Sequence, residues 1–435
     1  MLKKSIELNH YQRLMLQLSQ SSAYNAVHVV CLNNEVNSLP CLQASLAATI
    51  NQLAIGTPSF SSTLDHATYA PLAEPIQIER STLSLDEHVE KEINYFFSLN
   101  EFPLRFFIIT HSSNVYFSIT YNHWICDAYA ISQLMAAIFN HIQHPKEPLP
   151  LTLNAPPIRE CFKHIYQYKT FYYRYLGVIQ TALRFSRAFR TDVSNVESTE
   201  SGCFSHLFDK ETLEQLLAVC KTQRITLNDL FVTSLAQLFG GITQKKRAAL
   251  KSKPLKPKRN RIVIGVMSNI RAQSQTPLTH AFGLFLGFFY LSFNAPEQRS
   301  FETLSNHINA QTMRLKEKNA AIKQYLLFKI QNTMWSKAKT KHSKYRLFSK
   351  NTPITVGISN MVLRGENEAL TNSVHQYTRY SPTAMVCPIV FNLTTINHCL
   401  SASVTYRKAC YTSEEAKFIK DEFVRMMHVL TSRPN

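Results

Sequence analysis

The chain has 435 residues, 45% of them hydrophobic and 17% charged, and carries a formal net charge of +18. That composition excludes a disordered or fibrous chain, and the length exceeds what one hydrophobic core usually serves, so two domains are expected. No run approaches the roughly 18 to 20 apolar residues of a membrane span, and residues 1–10 lack the apolar stretch of a signal peptide.

Residues 25–32 are apolar and valine-rich and predict a strand. Residues 38–53 place Leu42, Leu46, Ile50 and Leu53 on one helical face. Two strands, 105–110 and 115–121, form a predicted hairpin, with a helix after it over 129–139. Prolines between 143 and 157 mark a loop. From Tyr166 to Arg190 the chain interleaves Tyr, Phe and Arg, as helices at membrane surfaces do. The polar segment 192–202 is the expected domain boundary, giving an N-terminal unit of residues 1–195 and a C-terminal unit of residues 196–435.

Beyond it, residues 208–220 and 226–236 read as helices, the second opened by Thr226 with Asp229 in a capping-box place. A lysine-rich, proline-containing loop is expected from Lys245 to Arg261. Strands follow at 262–267, 354–360, 389–395 and 400–406, the last two paired around Asn397 and His398, and a final helix covers 413–430.

The chemistry-bearing pair is His123 and Asp127, set between the strand ending at Tyr121 and the helix starting near Tyr129. A neutral imidazole suits a general base at neutral pH, and an aspartate four residues on can order it. Read alone, the same pair is also a core histidine and a helix N-cap. The nine cysteines are scattered, without Cys-x-x-Cys or zinc-finger spacing, and predict reduced thiols in the cytoplasm and no metal site. A nucleophilic role for Cys126 is not expected.

Residues 121–128 resemble the His-x-x-x-Asp signature of the chloramphenicol-acetyltransferase-like superfamily of acyl-CoA-dependent acyltransferases, wax ester synthases and condensation domains. Four further pieces are similar in the same order. They are Phe102-Pro103-Leu104-Arg105-Phe106, Thr226-Leu227-Asn228-Asp229, the strand ending Ser268-Asn269-Ile270-Arg271 with Gly283 and Gly287 after it, and Ile358-Ser359-Asn360. The chain departs from the pattern in having Asn122 where the superfamily has a first histidine, and Ala128 where it has glycine. It also lacks the Asp-Phe-Gly-Trp-Gly segment of the plant enzymes.

The resemblance implies an α/β fold of two similar mixed-sheet domains with a substrate tunnel between them. His123 would be the catalytic base. Asp127 would pair with Arg271 to hold the motif loop, and Asn122, Ser359 and Asn360 would line the tunnel. The implied reaction is transfer of an acyl group, with a fatty acyl group favoured, from a coenzyme A or carrier-protein phosphopantetheine thioester to an alcohol or amine. No cofactor is held permanently. The basic charge suits coenzyme A phosphates or an acidic acyl carrier protein at the Lys245–Arg261 loop, and an anionic membrane surface at Tyr166–Arg190. The expected location is cytoplasmic, at most peripheral to a membrane. The opposing reading, suggested by Asn122 and Ala128, is a degenerate protein that binds an acyl ligand or a partner without turnover. Nucleic-acid binding rests on charge alone and ranks last.

Overall fold

The structure is a computed structural model and describes residues 4–33, 39–111, 113–153, 157–163, 185–249, 259, 261–323, 325–351, 353–363, 368–383 and 387–432. In chain order the first half contains β1 (Lys4–Glu7), α1 (His10–Ser19), β2 (Asn25–Leu32), α2 (Leu39–Leu53), β3 (Thr57–Phe60), β4 (His66–Ala70), β5 (Ile78–Ser81), α3 (Leu85–Ile93), β6 (Leu104–His111), β7 (Asn114–Asn122) and α4 (Ala128–Gln143). The second half contains β8 (Ser201–Phe208), α5 (Lys210–Gln223), α6 (Leu227–Ala249), β9 (Arg261–Asn269), β10 (Leu286–Asn294), α7 (Phe301–Glu317), α8 (Tyr325–Lys337), α9 (Lys341–Asn351), β11 (Val356–Val362), β12 (Val374–Tyr380), β13 (Ile389–Ile396), β14 (Cys399–Arg407) and α10 (Ser413–Thr431).

Two mixed sheets organise these elements. The first has strand order β12-β2-β7-β6-β5 and the second β10-β9-β11-β13-β14-β8, with β1, β4 and β3 in a small third sheet. Residues of β2 are buried along its whole length, because the strand has a neighbour on either side and is covered on both faces. The β6–β7 hairpin pairs Leu104 with Tyr121 and delivers Asn122 and His123 at its exit. One hydrophobic core runs from α1, α2 and α4 of the first half into β9–β14 and α10 of the second.

Local chemistry explains where elements begin and turn. Asp127 caps α4, its Oδ1 accepting from Ala130 N at 2.9 Å. Thr226 and Asp229 form the reciprocal bonds of a capping box at the start of α6, Asp229 N to Thr226 Oγ1 at 3.2 Å and Thr226 N to Asp229 Oδ2 at 3.1 Å. The β13–β14 hairpin turns through Asn397 and His398, both at positive φ (48° and 62°), the backbone a tight two-residue hairpin demands. Asn397 steadies that turn by donating Nδ2 to the Val374 carbonyl at 2.8 Å.

The structure departs from the sequence expectations in three places. The segment that should open a loop at Lys245 is still helix to Ala249, and Lys246 is engaged by Glu415 at 3.2 Å. The remainder of that basic segment, residues 250–258 and 260, lies outside the described residues, as do residues 166–184 of the Tyr/Arg-rich stretch. At the end of that stretch Phe185 and Ala188 are buried against Val263, while Ser186 and Arg187 between them are exposed. The largest departure is β12, which comes from the second half yet completes the first sheet by pairing antiparallel with β2. Among the described residues no single helix is long and apolar enough to cross a membrane.

Candidate active site

His123 leaves β7 in a turn held by its own backbone N–H to the Tyr24 carbonyl (3.0 Å) and by Ile125 N to the Asn122 carbonyl (3.1 Å). Its Nδ1 lies 3.0 Å from the Cys126 carbonyl. A carbonyl can only accept, so Nδ1 carries the proton and Nε2 keeps its lone pair. Burial lowers the pKa of His123 below its usual value, outweighing the opposite pull of the Cys126 carbonyl and of Asp127. The imidazole is therefore neutral at pH 7, the form that a base requires. Tyr24 stacks on the ring and Tyr121 meets it edge-on. Burial pushes the Cys126 thiol far up, which leaves it unreactive as a nucleophile near neutrality.

Asp127 points away from His123. Its Oδ2 accepts from Arg271 Nη1 and from Phe285 N, each at 2.7 Å, while Oδ1 serves as the α4 cap. Arg271 then donates Nη2 to the carbonyls of Gly283 (3.1 Å) and Ala281 (3.3 Å), and its guanidinium lies between the rings of Tyr129 and Phe285. The ion pair is nearly buried, with side chains 3% and 5% exposed, so it acts as a tie between the motif turn and the 281–285 segment of the second half. The cap and ion-pair readings of Asp127 hold together, one on each carboxylate oxygen. Ala128 is the first residue of α4 and so needs no positive φ, and the missing glycine costs nothing there.

The imidazole opens onto a cavity of about 990 Å³, counting space open to solvent. Its walls are mostly apolar: Tyr11, Leu14 and Met15 of α1, Met267 of β9, Phe288 of β10 and Phe328 of α8. Ser359 lies on this wall with His123. Asn360 does not line it, and among the described residues its buried Oδ1 has no partner. Asn122 does not share this cavity either. It lines a separate one with Phe97, Pro103 and Trp124, and the bond that orients the His123 ring comes from Cys126 instead. Among the described residues no group of three or more His, Cys, Asp and Glu side chains is placed to hold a metal ion.

Compared with solved structures, the chain is similar over nearly all its length to an acetyltransferase and to condensation domains. The trichothecene 15-O-acetyltransferase of Fusarium sporotrichioides matches at 12% identity and TM-score 0.72, over 99% of this chain and 96% of that one. The first condensation domain of the calcium-dependent antibiotic synthetase matches at 12% identity and TM-score 0.68, over 99% and 97%. The condensation domain of the monacolin K polyketide synthase matches at 8% identity and TM-score 0.63, over 99% and 98%. The fold is the chloramphenicol-acetyltransferase-like one. No protein-family model and no curated protein sequence matches the chain.

Two features of the site were missed in the sequence. Arg379 of β12 donates to Ser359 of that wall, and an isolated arginine in a weakly patterned strand gives no sign of that. The second had a visible signal. Between Arg314 and Arg346 the chain carries ten lysine and arginine side chains against one acid, Glu317, so half of its net charge of +18 falls there. These residues belong to α7, α8, α9 and their connections, and α8 walls the His123 cavity.

Proposed function

We propose that the protein is an acyltransferase that moves an acyl group from a thioester to an alcohol or amine, with His123 as general base. The observation that carries this reading is the locked, neutral imidazole of His123, which lines a mostly apolar cavity and keeps its Nε2 unprotonated. Nε2 would take the acceptor proton as the acceptor attacks the thioester carbon, then return it to the departing thiolate, with no acyl-enzyme. The likeness in fold to an acetyltransferase and to condensation domains supports the same chemistry. The apolar wall suits a fatty acyl chain. Coenzyme A and carrier-bound phosphopantetheine both carry phosphate, and the basic 314–346 stretch beside the cavity suits either.

The test is free-thiol release from acyl-CoAs of two to sixteen carbons and from acylated carrier proteins, with alcohol and amine acceptors. His123→Ala should lower release about 10²- to 10⁴-fold. Release that is equal in wild type and H123A, or absent with every donor while the acyl ligand binds, would overturn catalysis and favour the binding-only reading that Asn122 suggests.

A further inference from the structure

Arg379, on β12, is 2% exposed, and among the described residues no carboxylate is within ion-pair reach of it. Its guanidinium crosses from the first sheet to the second. Nε donates to Thr394 Oγ1 (2.8 Å), Nη2 to the carbonyls of Leu393 (2.7 Å) and Ser359 (3.1 Å), and Nη1 to Ser359 Oγ (3.2 Å). Burial pulls its pKa down to about 10, which still leaves it charged at pH 7. A buried cation without a counter-ion is costly, and such costs are tolerated mainly where function needs them.

The place of that charge is informative. Arg379 faces His28 across β12 and β2. The His28 ring meets Tyr121 edge-on, and Tyr121 in turn meets His123 edge-on. His28 bridges the hydroxyls of Tyr377 (2.6 Å) and Tyr121 (3.3 Å), and burial holds it neutral, so it neither offsets nor adds to the charge. Ser359 lines the His123 cavity, and among the described residues the one hydrogen bond of its Oγ is the one it accepts from Arg379. Its own proton is left for the cavity. Ser381, on the same wall, instead commits its proton to Asn392 Oδ1 at 2.5 Å.

We infer that Arg379 is a positioning residue: by donating to Ser359 Oγ it turns the serine proton toward the cavity, where that proton meets the oxyanion of the tetrahedral intermediate. The inference deepens the acyl-transfer reading and rests on it. As the acceptor oxygen or nitrogen bonds to the thioester carbon, its proton passes to His123 Nε2 and the carbonyl π pair moves onto oxygen. The oxyanion takes a hydrogen bond from Ser359 Oγ–H, strengthened by the cation behind it. When the C–S bond breaks, the oxygen lone pair restores the carbonyl and the thiolate takes the proton from Nε2.

The experiment is a kinetic double-mutant cycle with the donor and acceptor pair on which wild type shows His123-dependent thiol release. Ser359→Ala should lower kcat about 10²-fold and Arg379→Met about 10-fold, with KM changed less than about twofold. The double variant should be no slower than S359A alone. R379M slowing the enzyme equally with and without Ser359, or not at all, would overturn the inference while leaving His123 catalysis standing. Wild type releasing thiol no faster than H123A would overturn both. If R379M does not fold, Arg379→Lys serves in the same cycle. It should lose at least about threefold in kcat with Ser359 present and nothing in the S359A background, and equal losses in both would count against the role.

Discussion

At the scale of single residues, the site separates holding from reacting. His123 is oriented by a backbone carbonyl, so its tautomer does not depend on any titrating group. Asp127 spends both oxygens on structure, one on a helix end and one on a cation from the other half of the chain. Asp127→Ala would leave the Arg271 charge buried and unpaired and expose the first turn of α4, at a cost of roughly 3 to 5 kcal/mol. Chemical denaturation should show that loss together with reduced thiol release, whereas reduced release with an unchanged denaturation midpoint would contradict the structural role. The positions of His123, Asp127 and Arg271 were legible because a short motif and a strand end carry them. The roles of Asn122 and Asn360 were not, because which side of a strand end meets a cavity is decided by elements far away in sequence.

At the scale of elements, what could be read was whatever the local chain decides. The β6–β7 and β13–β14 hairpins, α4, α6 and α10 all announce themselves through periodicity, caps or turn residues. Thr226 illustrates how far such a signal reaches: its hydroxyl and backbone share Asp229 with Asn309 of α7. Thr226→Ala removes the cap of α6 and should lower stability by about 1 kcal/mol, measurable by urea titration, with little effect on KM. What could not be read was β12. Its sequence, Val-His-Gln-Tyr-Thr-Arg-Tyr, alternates poorly, and it becomes a strand through pairing with β2 across more than three hundred residues of chain. Strand preference of this kind is set by neighbours rather than by local propensity. The basic 314–346 stretch escaped notice for a different reason: its cations are spread through helices instead of forming a run.

At the scale of the whole molecule, several buried histidines make stability depend on pH. Burial lowers the pKa of His28, His88 and His123, that of His88 to about 4. In the unfolded chain these groups protonate near pH 6.5, while in the folded protein they resist protonation. The unfolded state therefore binds more protons between pH 6.5 and about 4, and stability falls as pH drops through that window. Each such histidine contributes a slope of roughly 1.4 kcal/mol per pH unit. Melting temperatures measured between pH 8 and pH 4.5 should be flat above about 6.5 and decline below it. In His88→Gln the decline should be shallower, and an unchanged slope there would remove His88 from the account. The same direction of shift in His123 predicts that thiol release keeps its full rate at neutral pH and is lost only on the acid side.

The strand β12 also constrains how the protein can come into being. The sheet that presents His123 is missing its outer strand until residue 380 has been synthesised, so β2 must wait with one backbone edge unpaired while most of the chain is still being made. Its neighbour β7 and the helices α2 and α4 can collapse early, but the exposed edge of a valine-rich strand is a template for the wrong partner. The two halves are thus unequal in timing. The imidazole is encoded early, and the sheet that holds it is closed late, by the same strand that brings Arg379 to Ser359.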